Sequence, residues 1–433
     1  MALAQRFDGI NPFNAISVTL SAQDVRTVPE RLLQALFPVR CPRVMPSALR
    51  DVGVVSPAWV KHLKVHLEGW PRPLKVLSPC AGLNAPARAA LELGAPWLSV
   101  GDWDVTAAVA PALQKLCVDD SCLHVGASRG DVTRVDLADL DLETDAVISG
   151  PPCPPFSTMG ARLIEMDSRS NVFISVALWI LHLARRGRLA FWCVENVAGI
   201  LRKRSGSGMS FGEWFVAEMD LNLPQGWLVQ VHNHNSIDCL LPQSRPRVFF
   251  VGVAPSLQVS RFQKRLLWQP LLSWPRVRLT DFIDMEASPE DWAALTIRQQ
   301  LNVESQLAEF ASLLKKSPRA EVSVALIDSS RDPHGKVDAG ICIEASRTLR
   351  TNNLGLWLLP SEDLKDKIGP KGRKLSRLEK CRLAGISAES LEGMTDTEVE
   401  VAIGNTIPVS LIGVVLYPLF RCALQALRSP PCT

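Results

Sequence analysis

From residue 74 to residue 253 the chain alternates short apolar runs with longer stretches of helical period, and this feature most narrows what it can fold into. The runs are "LKVLS" at 74, "WLSVGD" at 97, "DAVISG" at 145, "LAFWCVEN" at 189, "WLVQVHN" at 227 and "RVFFVGV" at 247. Runs so short and so apolar, separated by helical stretches, predict strands buried on both faces. That is the pattern of a doubly wound α/β domain with a mostly parallel sheet. "NVFISVALWILHLARR", between the third and fourth runs, reads as a buried helix closing on arginines, where positive charge suits a helix C-terminus.

The alternation fades after 253, which divides the chain. Residues 1–73 show neither period nor motif and form an extension of unknown role. Residues 74–255 make the sheet domain, 256–372 a smaller irregular domain, and 373–433 a helical segment returning to the first. A chain of 433 residues, 47% hydrophobic and 21% charged, has enough apolar surface to bury a large core. No uninterrupted apolar stretch reads as long enough to cross a bilayer, and "MALAQRFDGINPF" lacks the basic start and apolar run of a secretory signal. The expectation is an intracellular monomer with no membrane partner, nuclear in a eukaryote and in the cytoplasm or nucleoid of a bacterium. Eleven cysteines without a CxxC pair fit reduced thiols and predict no metal site. A net charge of +3 is too small to announce nucleic acid, so any basic surface must be local.

Ligands of open α/β sheets sit outside the carboxyl ends of the strands, so the residues after each run are the candidates. Ser78, Cys80, Gly82 and Leu83 follow the first run. Asp102 and Trp103 of "GDWD" follow the second, an acid for ribose hydroxyls beside an apolar plate for adenine. Asp131 and Val132 stand in "GDV", Pro152 and Cys153 in "GPPCPPFSTMG", and Glu195 in "ENV". Only Gly82 stands where a GxGxxG fingerprint needs three glycines, so the site reads as a nucleoside site without a pyrophosphate cradle. Four prolines around Cys153 restrict the backbone to a narrow set of positions, which suits a thiol held for chemistry.

"PPCPPFS" followed by "ENV" and then "QSRPRVFFVG" closely resembles the cytosine-C5 methyltransferases, whose motifs read PCxxPFS, ENV and QxRxRxFxVG. "DSRSNVF", "RKLSRLEKCRLAGI" and "IGNTIPVSLI" resemble further family segments in the same order, over roughly residues 74–255 and 345–420. The resemblance implies a Rossmann-like, S-adenosyl-L-methionine-dependent fold with a mixed, mostly parallel sheet and an inserted target-recognition domain. It implies that Cys153 adds to carbon 6 of cytosine, that Glu195 sits against N3 and the exocyclic amine, and that Arg247, with Arg245, faces O2. Ser78, Cys80, Gly82, Leu83, Asp102, Trp103, Asp131, Val132, Pro152 and Asn405 would line the methyl donor's site.

The family's substrate base is rotated out of its stack, so residues 157–173 would close over it, with Ser157, Arg162 and Arg169 toward DNA. From Val248 to Thr280 there is no acid, while Arg261, Lys264, Arg265, Arg276 and Arg278 interleave with Phe262, Trp268 and Trp274, a pattern suited to phosphate contact. DNA is the expected partner. One branch of the family modifies transfer RNA and carries a CFT tripeptide, which this chain lacks. A non-catalytic scaffold is the other alternative, supported by departures in the first loop, where Pro79, Cys80 and Leu83 replace small residues and glycines. The "IGNTIPVSLIGVV" segment should pack back beside the first strand.

Overall fold

The computed structural model describes residues 67, 69–114, 120–156, 169–203, 208–257, 277–285, 290–316, 324–330, 341–349, 355–386 and 391–428. Seven strands form the main sheet: β1 (Leu74–Pro79), β2 (Trp97–Asp104), β3 (Leu123–Val125), β4 (Ala146–Ser149), β5 (Phe191–Val197), β6 (Leu228–Asn235) and β7 (Pro246–Val253). Their spatial order is β3-β2-β1-β4-β5-β7-β6. The first five run parallel, and β7 runs antiparallel to both β5 and β6. Each run singled out in the sequence forms a strand. The three-residue β3, half-buried at the sheet's edge, carried no such signal.

The sheet is buried on both faces because its side chains alternate. Val76, Ala146, Ile148, Phe191, Cys193, Phe249 and Val251 join one core with α1 (Ala85–Glu92) and the last helix. Leu77, Trp103, Val147, Trp192, Val194, Val248 and Phe250 join the other with α2 (Ser170–Arg186) and α3 (Phe211–Asn222). Helix α2 is the arginine-terminated helix expected from the sequence. The packing begins before residue 74: Leu67 lies in the core, and Arg72 makes two hydrogen bonds of 2.6 and 2.7 Å to the Asp145 carboxylate at the sheet's lower edge.

The inserted region builds a second, four-stranded sheet against α4 (Ile297–Lys316). Its central strands are β8 (Val324–Asp328) and β9 (Leu356–Pro360), paired antiparallel. Ala325, Ile327, Trp357 and Leu359 face Val303 and Phe310 of α4, whereas Val324, Leu326, Leu356 and Leu358 join the main core. Arg373–Lys374 pairs with β9, so the second sheet reaches just past the expected boundary at 372.

Three helices close the chain: α5 (Arg377–Ala384), α6 (Asp396–Asn405) and α7 (Val409–Arg428). Ser376 and Glu379 form a capping box at the start of α5, and Gly385 ends it at φ 68°. Helix α7 packs on α1, the helix that follows β1. Against the sequence expectation, Asp396–Leu427 is long and apolar enough to cross a bilayer, yet 89% of its most apolar window is buried inside the protein.

Candidate active site

The nucleophile loop leaves β4 at Gly150, and its shape is fixed by neighbours. Asn196, wholly buried on β5, donates from Nδ2 to the Pro151 carbonyl at 3.3 Å, while its Oδ1 accepts the Val197 N–H at 2.9 Å. The Cys153 carbonyl accepts the Phe156 N–H at 2.9 Å, and its Sγ lies 3.8 Å from the Pro151 carbonyl. Gly150 brings the loop against the acid: a Cβ placed there would lie 3.4 Å from Glu195 Oε2, so a larger side chain would press on the carboxylate.

Glu195 and Arg247 are set by strand register. Glu195 lies opposite Phe249, and Val197 opposite Arg247, so both polar side chains project from the same face, two residues apart. Arg247 Nε stands 2.6 Å from Glu195 Oε1, with the two residues only 7% and 4% exposed. Burial pushes the Glu195 carboxyl above its ordinary range, and Arg247 and Arg245 pull it back. Burial and the Glu195 charge likewise raise the Cys153 thiol, opposed by the same two arginines. A half-buried thiol, a buried carboxyl and a buried guanidinium therefore lie together at the carboxyl ends of β4 and β5.

Arg245 is tied to two distant backbone carbonyls. Its Nη1 donates to the Leu349 carbonyl at 2.7 Å and its Nη2 to the Gly404 carbonyl at 2.9 Å, so two of its donors tie the inserted region and the end of α6 to β7. Its charge also lowers the Cys153 thiol and the Glu195 carboxyl.

The loops after β1 and β2 carry most of the residues expected around the donor. Strand β2 runs two residues past Asp102, which is 0% exposed and accepts the Asn84 Nδ2 at 3.1 Å beneath the start of α1. The acid at the strand's end is Asp104, whose carboxylate accepts the Gly82 N–H at 2.8 Å and the Thr106 N–H at 2.7 Å. Trp103 is nearly buried, stacked on His124 at 4.6 Å between centroids and edge-on to Trp179 at 4.8 Å, so much of its ring is already covered. Leu83 and Val132 are core residues, placed there by their apolar side chains. Asp131 caps the 132–134 turn through Thr133 and pairs with Arg134 at 3.1 Å. Pro152 is half-buried, and Asn405 is exposed at the end of α6. Ser78 Oγ is buried on β1 without a hydrogen-bond partner.

The loop after β1 meets the need for left-handed backbone without a glycine series: Cys80, Gly82 and Asn84 take φ of 62°, 55° and 47°. The Ala81, Gly82 and Asn84 N–H groups are taken by the Trp103 carbonyl, Asp104 and the Ala81 carbonyl. Those three donors are not left for a phosphate. A Cβ at Gly82 would meet nothing within 4 Å, so the loop's open side has room for a ligand. A nucleoside-type donor without phosphates fits this site.

Of the expected DNA contacts, Arg169 precedes α2 on the surface, and Arg278 stands 3.5 Å from Glu344. Ser157, Arg162, Arg261, Lys264, Arg265 and Arg276 lie outside the described residues. No cluster of metal-ligating side chains occurs among the described residues. Asn196, Asn84 and Asp104 were missed by reading the sequence. The first follows Glu195 directly and the last closes "GDWD", so the motifs held both without revealing what they touch.

The sheet order, the reversed β7 and the site at the strands' carboxyl ends define a Rossmann-like, S-adenosylmethionine-dependent methyltransferase fold. A model of the C-5 cytosine-specific DNA methylase family matches residues 123–421, well over half of the chain, and the protein belongs to that family. It is 34% identical to the type II methyltransferase M.DdeI of Desulfomicrobium norvegicum over 133 residues, 30% of each chain. With M.BsuFI of Bacillus subtilis it shares 28% identity over 133 residues, 31% of this chain and 30% of that one. The match thus spans less than a third of either relative. Dnmt2 methyltransferase from S. pombe has the same fold, at TM-score 0.51 and 17% identity, covering 80% of this chain and 99% of that one.

Proposed function

We propose that the protein transfers a methyl group from S-adenosyl-L-methionine to carbon 5 of cytosine in DNA, with the base turned out of the duplex. One observation carries this reading: the buried Glu195–Arg247 pair stands beside a thiol whose loop is pinned by Asn196. The type II relatives and the family's description favour DNA as substrate.

Carbon 5 of cytosine is a weak nucleophile, and addition of sulfur to carbon 6 converts it into an enamine carbon. Cys153 Sγ gives up its proton as the carbon–sulfur bond forms, and the ring's electrons shift toward N3 and O2. Glu195, whose carboxyl burial pushes up, holds a proton at N3, and Arg247 steadies charge at O2. When bound, the donor supplies an electrophilic methyl group. The left-handed loop after β1, Pro152, Trp103 and Asn405 would hold it. Loss of the carbon-5 proton then drives out the sulfur, which recovers its proton, and Cys153 is regenerated.

The test offers the purified protein duplex DNA and, separately, transfer RNA containing 5-fluorocytosine. Fluorine cannot leave as a proton does, so the adduct persists. A denaturation-resistant complex with DNA through Cys153 is expected. Trapping on RNA alone would overturn the DNA assignment, and no trapping on either, with donor bound, would overturn the chemistry.

A further inference from the structure

The donor loop is held in a demanding shape by something outside itself. Left-handed backbone disfavours an L side chain, yet Cys80 and Asn84 adopt it on either side of Gly82. Asn84 is steadied by its own side chain, whose Oδ1 caps α1 at the Ala87 N–H and whose Nδ2 donates to Asp102. The centre of the loop is gripped from β2: Ala81 by the Trp103 carbonyl and Gly82 by the Asp104 carboxylate.

Asp104 reaches further than the first loop. Its other carboxylate oxygen accepts the Thr106 N–H, and its carbonyl accepts the Gly126 N–H at 2.9 Å. Gly130 packs so closely that a Cβ there would come within 2.0 Å of the same carbonyl. One residue thus ties together the loops after β1, β2 and β3. Asp104 is half-buried; burial pushes its carboxyl up and the Thr106 and Gly82 N–H groups pull it back, so these two hydrogen bonds favour the charged form, to which N–H bonds are the stronger ones.

We propose that Asp104 is the positioning residue of the donor pocket: its carboxylate holds the Cys80–Asn84 loop in the left-handed shape that receives S-adenosyl-L-methionine, without itself touching the donor. This inference rests on the functional reading above.

Asp104→Asn is the closest isostere. It leaves one acceptor oxygen and turns an NH2 toward an N–H. Calorimetric titration should show binding of S-adenosyl-L-methionine weakened at least tenfold, with KM for the donor raised and kcat within twofold of the parent. In the donor-free protein, hydrogen exchange at the Gly82 amide should quicken at least tenfold while the β5 amides keep their protection. Adding Cys80→Gly, which removes the strained side chain, should recover most of the lost affinity. Should Asp104→Asn fail to fold, Thr106→Pro removes one of the donors that fix the carboxylate, with a smaller loss of affinity in the same direction. Unchanged Gly82 exchange, or unchanged affinity in a folded variant, overturns the inference. A parent protein that binds no donor overturns the functional reading and the donor half of this one, while exchange at Gly82 still decides whether Asp104 holds the loop.

Discussion

The two sides of the pocket are built by different physics. On the base side, charged side chains converge because antiparallel register places Arg247 opposite Val197 and next to Glu195, and burial makes their interaction strong. On the donor side, the backbone makes the surface: three left-handed residues, Cys80, Gly82 and Asn84, in a loop whose Ala81, Gly82 and Asn84 N–H groups are tied down by Trp103, Asp104 and Ala81. The lesson is about tolerance. A charge cluster needs particular side chains, whereas a backbone cradle accepts other residues once something holds its shape. Cys80 and Asn84 stand in that cradle without glycine's freedom, while the other side is made of the Cys153, Glu195 and Arg247 side chains.

The comparison is most easily broken at the nucleophile. Cys153→Ala should lower methyl transfer to cytosine DNA by on the order of 10⁴-fold or more and abolish the 5-fluorocytosine adduct. Donor binding by calorimetry should stay unchanged, and a parallel loss of it would mean that the two sides are not separate. Glu195→Gln should cost about 10²- to 10³-fold in kcat, since the amide cannot exchange a proton at N3 and Arg247 loses its charged partner. A kcat within a fewfold of the parent would remove Glu195 from the chemistry. Asn196→Ala deletes the bond to the Pro151 carbonyl and the acceptor at Val197, and should cost about 1–2 kcal/mol in denaturant unfolding and roughly tenfold in kcat.

The smallest expected effect is a titration. Burial raises the Cys153 thiol and the positive charge of Arg247 lowers it, so the charged form gains ground only on the alkaline side. In the donor-free protein, alkylation of Cys153 by iodoacetamide should therefore accelerate as pH rises above the range of a free cysteine. Removing the arginine charge with Arg247→Met should move that midpoint further up, by about one unit. An unchanged midpoint would mean that Arg247 exerts no field on the sulfur.

Much of the fold could be read along the chain. The six apolar runs formed strands because full burial on both faces demands such runs, and "NVFISVALWILHLARR" formed a helix because its length and apolar content leave no other way to bury it. Strand ends were less legible. Both β2 and β5 run two residues past the acids expected to follow them, since continued pairing with β3 and β7 is available there. Asp102 therefore lies within β2, hydrogen-bonded to Asn84, and Asp104 stands at that strand's end. Arg245 was ambiguous for the same kind of reason: the carbonyls it binds lie 104 and 159 residues further along the chain.

The sequence by itself settled which chemical groups exist and in what order, because a thiol between prolines, an acid after an apolar run and an arginine opening another are local facts. Tertiary structure alone decided which of them meet. Register across β5 and β7 pairs Glu195 with Arg247, and the inserted region and the C-terminal helices each give Arg245 a partner. The closeness of β1 and β2 makes Asp104 the keeper of a loop twenty-two residues away, since hydrogen bonds and charges act over a few ångströms of space, whatever their separation along the chain.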